Sequence, residues 1–249
     1  MHRSPSAGLV GTLVLVAACG TSTAPPASPG AAAPTAPATV APVASIAPVG
    51  TPRPAAPSAA PRPSGSLDWP AEFLVEMHGR YVTSPPFVIP MTLEIAEGGW
   101  YAGHRNPVFI DLQRYDGVEL GGLPSRMIGF GWPEHVRGGD GEVGVAGLTP
   151  GAAIDQMTAR ASITSGNRGP VELLGLAGER IDLHSDLVNN PIFGTADGDF
   201  GIQPELDARL AVLPLDDGLL MVAVLAAADD LDAAWQQAQA ILGTARLER

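Results

Sequence analysis

Hydrophobic and polar positions change rhythm twice along the chain. An unbroken apolar run fills Ala7 to Ala18, no spaced apolar pattern exists from Thr21 to Ser66, and short alternating runs bounded by glycine begin after Trp69. Alternation with period two places one face of an extended segment against a core. It predicts strands over residues 87–96, 108–114, 126–132, 171–176, 179–184, 206–215 and 219–227. The last two flank Asp216-Asp217-Gly218, which predicts a hairpin. The second of them is wholly apolar, so both its faces should be covered by helices or loops. Two helices follow from the 3.6-residue spacing. One starts at Asp229 or Asp230, runs to about Leu247, and turns Leu231, Ala234, Trp235, Ala238, Ile241, Leu242 and Ala245 inward. Its aspartates suit a cap and the positive dipole end, and Arg246 and Arg249 suit the other end. The second helix begins with Thr149 as cap and Pro150 in the first turn, and presents Ile154, Met157 and Ala161.

Strands, a helix, more strands, a hairpin and a closing helix make an α+β class with a mainly antiparallel sheet flanked by helices. Ile89-Pro90 to Gly99-Trp100, the central helix, Gly175-Leu176-Ala177-Gly178 leading into a strand, and the C-terminal hairpin plus helix resemble the Mog1/PsbP-like domains of actinobacterial-type lipoproteins over roughly residues 70–247. The resemblance implies an antiparallel sheet with flanking helices and a non-catalytic accessory role.

The first apolar run follows Met1-His2-Arg3 and is too short to span a bilayer, which needs about 20 residues. It has the form of a signal peptide over residues 1–18. Its end, Val16-Ala17-Ala18-Cys19-Gly20, resembles the lipobox of bacterial lipoproteins. That resemblance implies a diacylated Cys19 as the mature N-terminus; no cofactor beyond this lipid is expected. Acyl chains at about 0.8 kcal/mol per buried CH₂ would hold the protein at the extracytoplasmic face of the membrane. Cys19 is the single cysteine, so the domain has no intramolecular disulfide and depends on its core.

From Cys19 to Ser66 the chain is mostly Ala, Pro, Ser, Thr, Val and Gly, a composition that predicts a disordered tether with a limiting reach of about 140 Å. One globular domain over residues 67–249 follows. All 26 acidic residues lie in it, with eleven of the 14 basic ones, every one of them Arg, for a formal charge of −15. Such a charge excludes nucleic acid as a direct partner, since that binding needs a basic footprint to displace counterions. The membrane, through the lipid, and an envelope protein or small ligand are the expected partners.

Candidate chemistry is sparse. Asp182, His184 and Asp186 share one face of a strand at i, i+2, i+4 spacing, where imidazole between carboxylates can ligate a metal or act as a general base. The simpler reading is the wet face of an amphipathic strand, and the alternative is a metal-dependent extracytoplasmic hydrolase. Trp100, Tyr101, His104 and Arg105 follow a glycine turn, and Trp132 and His135 follow a strand. Aromatic and planar cationic groups in loops can stack a small ligand. Gly139-Asp140-Gly141-Glu142-Val143-Gly144 meets the spacing of a dinucleotide loop but carries two carboxylates and opens no helix, so it reads as a solvated loop. Asp197 to Glu205 alternates oxygen donors but lacks the glycine position of an EF-hand and reads as a polar connector.

Overall fold

The computed structural model describes residues 64–85, 87–195 and 198–248. Cys19, the signal segment, the tether up to residue 63, Asp197 and Arg249 lie outside them. The described strands are β1 (Leu67–Asp68), β2 (Glu76–Val82), β3 (Met91–Arg105), β4 (Phe109–Arg114), β5 (Arg126–Gly131), β6 (His135–Gly138), β7 (Gly141–Gly144), β8 (Thr164–Leu173), β9 (Leu176–His184), β10 (Asn190–Thr195), β11 (Gly198–Ile202), β12 (Asp207–Leu215), β13 (Gly218–Ala226) and β14 (Arg246–Leu247). Two α-helices, α1 (Pro150–Thr158) and α2 (Leu231–Leu242), complete the α+β fold.

The main sheet runs β1-β2-β3-β4-β5-β13-β12-β9-β8, with β14 pairing β3; β11-β10-β6-β7 form a second sheet. Neighbours are antiparallel except β1 and β2. β12 and β13 occupy the middle, and their alternation divides the interior. Ala211, Leu213, Leu220, Val222 and Val224 join the α2 face, with Trp69, Trp100, Trp235 and Ile241. Leu210, Val212, Leu219, Met221 and Ala223 join the opposite face, with Ile154, Met157, Phe193 and Ile202. The apolar run of β13 is therefore needed because each alternate side chain enters a different core. One covering layer is α2, and the other is the second sheet with α1.

Two glycines of β5 make room for aromatic rings, one from the second sheet and one from the neighbouring strand. A Cβ on Gly131 would lie 2.6 Å from the Phe193 ring, and one on Gly129 would lie 3.1 Å from Phe109. β5 thus receives aromatic rings where other residues would present side chains.

Several expectations are corrected. The glycines before Trp100 do not end a strand: β3 continues through them, and four residues of β3 oppose one of β2 between the Trp100–Met77 and Ile95–Gly79 pairs. The turn is absorbed as an irregularity because β2 pairs with β3 on both sides of the glycines and β4 pairs with the following half. The segment from Val171 to Leu176 holds a turn, not one strand, with Leu174 at φ 56° and Gly175 at φ 73° joining β8 to β9. The Gly139 to Gly144 loop is largely a β6–β7 hairpin, and the connector before Leu206 contains β11. These strands have too few apolar residues to show a period.

α1 is capped by Thr149, which accepts from the Ala152 amide at 3.2 Å, and it buries Ile154 and Met157. Ala161 lies beyond it, exposed. α2 stops at Leu242, because Thr244 accepts the Glu94 amide at 2.8 Å and the chain re-enters the main sheet as β14. Asp230 precedes α2 without a side-chain cap bond; its carboxylate takes the Arg126 guanidinium at 2.6 and 2.9 Å. Arg246 donates to the Gly243 and Ala245 carbonyls at the helix end.

Candidate functional site

Two hollows and one histidine cluster gather the chemistry-bearing residues. The first hollow, of about 210 Å³, opens between β3–β4 and β10–β11. Its wall is aromatic: Phe193 stacks on Phe200 with centroids 4.9 Å apart, and Phe109 tilts against Phe200 at 5.3 Å. His104, Asn106, Thr195 and Asp199 supply its polar rim. The Asn106 side-chain oxygen Oδ1 accepts from the Val108 and Phe109 amides at 3.0 and 2.6 Å. Asp199 holds Arg137 at 2.5 Å and faces His135 at 3.5 Å.

His104 owes its position to a missing side chain. A Cβ on Gly103 would fall 1.7 Å from Asp111 Oδ1, so the glycine lets the Asp111 carboxylate lie flat beneath β3. The carboxylate is 1% exposed, receives His104 Nδ1 at 3.2 Å and Gln113 Nε2 at 3.2 Å, and Gln113 accepts the Tyr115 hydroxyl. The hydrogen bond to Asp111 raises the His104 pKa above the usual imidazole value against the opposing effect of burial.

The second hollow, of about 390 Å³, is a groove lined by Val88, Val108, Trp132, Pro133, Val145 and Ala146, with Glu134 and Asp217 at its edge. A Cβ on Gly218 would stand 3.0 Å from Trp132 Nε1, so the indole lies across the turn between β12 and β13. The Trp132 amide donates to the Val108 carbonyl, and Val145 donates to Glu134, which fixes both walls.

His184, on β9, is held between two carboxylates, with Nδ1 2.7 Å from Asp207 and Nε2 3.2 Å from Asp186. Asp207 is the stronger cause of its raised pKa, followed by Asp186. Asp182 turns to Arg209 instead, at 2.7 and 2.8 Å. Asp182 is therefore engaged by a guanidinium, apart from the His184 pair. Among the described residues no group of three or more His, Cys, Asp or Glu is placed to hold a metal ion.

No family model matches the chain, and no curated protein does. A PsbP-like domain is a structural neighbour. The solution structure of cyanobacterial PsbP (CyanoP) from Synechocystis sp. PCC 6803 is similar over 72% of this chain and 95% of that one, with a TM-score of 0.37 and 10% identity.

The six aromatic and cationic candidates are dispersed. Trp100 is 1% exposed in the main core, with the Arg114 guanidinium 5.8 Å from its ring. Tyr101 meets Tyr115 edge-on at 6.0 Å, and Arg105 donates to the Trp69 carbonyl at 3.3 Å. His104 reaches the first hollow and Trp132 the second, while His135 lies under Gly194 beside Asp199. Sequence reasoning did not single out Asp111, Phe109, Phe193, Phe200, Glu134 or Asp217. The phenylalanines carry no local signal of a ligand wall, and the three acids stand far apart in the chain with no shared spacing. The Asp-Asp-Gly turn was visible as a turn, but nothing local marked it as the wall of a groove.

Proposed function

We propose that the chain is a lipoprotein, cleaved before Cys19 and anchored through it at the extracytoplasmic face of the membrane, whose acidic domain is a non-catalytic binding module for an envelope component or protein partner. One observation carries the binding reading. Trp69, Trp100 and Trp235 are at most 6% exposed, whereas Trp132 is only half-buried and lies in an open apolar groove. An aromatic left partly wet in a hollow offers a contact that gains free energy when a partner excludes water. The lipobox-like segment and Pro/Ala-rich linker support a domain that searches the envelope at a distance from its anchor.

The test places a photo-crosslinking amino acid at Val88, which is 44% exposed on the groove wall, in living cells. A discrete adduct in the membrane fraction, lost in Trp132→Ala and released with the protein in Cys19→Ala, is the expected result. An adduct indifferent to Trp132→Ala would overturn the groove as the binding surface. A mature N-terminus other than a lipid-modified Cys19 would overturn the anchor.

A further inference from the structure

We infer that the Trp132 groove takes an arginine side chain of a partner protein, presented between apolar residues; this rests on the binding-module reading and names its chemistry. The groove combines three features that suit a guanidinium. The first is an indole laid across Gly218, the aromatic that best attracts a cation to its face. The second is a pair of carboxylates from different elements, Glu134 before β6 and Asp217 in the β12–β13 turn. The third is an apolar lining, Val88, Val108 and Val145, which suits the methylene stem of arginine and an aliphatic neighbour.

Charge complementarity selects this occupant. No basic residue lines the groove, and among the described residues neither the Glu134 nor the Asp217 carboxylate has an ion-pair or hydrogen-bond partner. Among the described residues, three guanidinium groups are engaged away from it: Arg137 with Asp199 and Glu142, Arg168 with Asp155 and Glu179, Arg209 with Asp182 and Asp232. An anionic ligand would meet two uncompensated carboxylates inside a domain of formal charge −15. Arginine fits better than lysine because its planar group can stack on the indole and still donate to both carboxylates at its edge.

The test uses the full chain in phosphatidylcholine nanodiscs and isothermal titration calorimetry with three capped tripeptides, Val-Arg-Val, Val-Glu-Val and Val-Val-Val, and with free agmatine. The expected result is binding of the arginine peptide alone. Its Kd should weaken about ten-fold or more in the Glu134→Gln/Asp217→Asn double variant and again on raising salt from about 0.05 to about 0.5 M. Both substituted side chains are exposed, so the variant should retain the wild-type urea midpoint. Equal binding of the valine peptide would overturn the arginine inference while leaving a binding groove. Agmatine binding as tightly as the peptide would replace the protein partner with a free amine and overturn it too. If no peptide binds but the Val88 adduct persists in cells, the inference falls and the binding module stands; if both fail, both fall.

Discussion

The Arg209 guanidinium lies 5.7 Å from the centre of the Trp235 ring while forking onto Asp182 at 2.7 and 2.8 Å. Its Nη1 also reaches Asp232 at 2.9 Å. One buried cation thus ties β9 and β12 to α2. The hydrogen bond that Arg209 donates to Asp182 is the main cause that raises the Arg209 pKa.

Removing that cation should leave Asp182 without its partner in a poorly hydrated place. Arg209→Met is expected to cost about 3 kcal/mol, the lower part of the range for breaking a buried pair, because Asp182 keeps some contact with water. Arg209→Met/Asp182→Leu should recover most of the loss. Urea midpoints measure both, and an unshifted Arg209→Met would show that the fork contributes nothing.

Trp235 is 6% exposed and belongs to the core shared by α2 and β13. Trp235→Ala should therefore cost about 3–5 kcal/mol, enough to place a domain of typical stability near unfolding at growth temperature. Equilibrium unfolding monitored by circular dichroism tests this, and a midpoint equal to wild type would move Trp235 from core to contact surface.

Gly178 sits where a Cβ would be 2.2 Å from the Val212 carbonyl oxygen and 2.9 Å from Leu213 Cδ2. That oxygen belongs to a central strand and cannot swing away as a side-chain end could. Gly178→Ala should lose about 1–3 kcal/mol or more through overpacking. Gly144→Ala, with open space and no positive φ, should change stability by less than about 0.5 kcal/mol. Thermal melts of the two variants side by side make the comparison, and equal melting temperatures would refute it.

His184 should make stability depend on pH. Its folded pKa is raised, first by Asp207 and then by Asp186, above the ordinary 6.5 that it has unfolded. The protonated form is thus favoured by folding, and the contribution is fully present below the unfolded value and fades as pH rises through the raised one. Because the ring is partly exposed, the effect is modest. Urea midpoints across that window should fall in wild type and fall less steeply in His184→Gln, in which His104 keeps its raised value. An identical slope in the two proteins would exclude the cluster as the source.

Local pattern was sufficient where one residue's neighbours in sequence decide its surroundings. The i, i+3, i+4 spacing of Leu231, Trp235, Ala238 and Leu242 determines which face of α2 is apolar, and Thr149-Pro150 determines where α1 begins. The uninterrupted apolar run in β13 implied two covered faces, though not that one cover would be a second sheet. Glycine-rich β6, β7, β10 and β11 left no period to read, and they form strands because their backbone groups pair with one another. The site depends still more on distance in sequence. Asp182 could have faced His184 by spacing alone, but the antiparallel register of β9 and β12 sets it opposite Arg209. Trp132, Glu134 and Asp217 become one groove only because β5 pairs with β13, which brings the β12–β13 turn beside the segment after β5. Periodicity along a chain is fixed by backbone geometry and so belongs to the sequence, whereas which charges and rings meet is fixed by strand pairing and close packing across the whole domain.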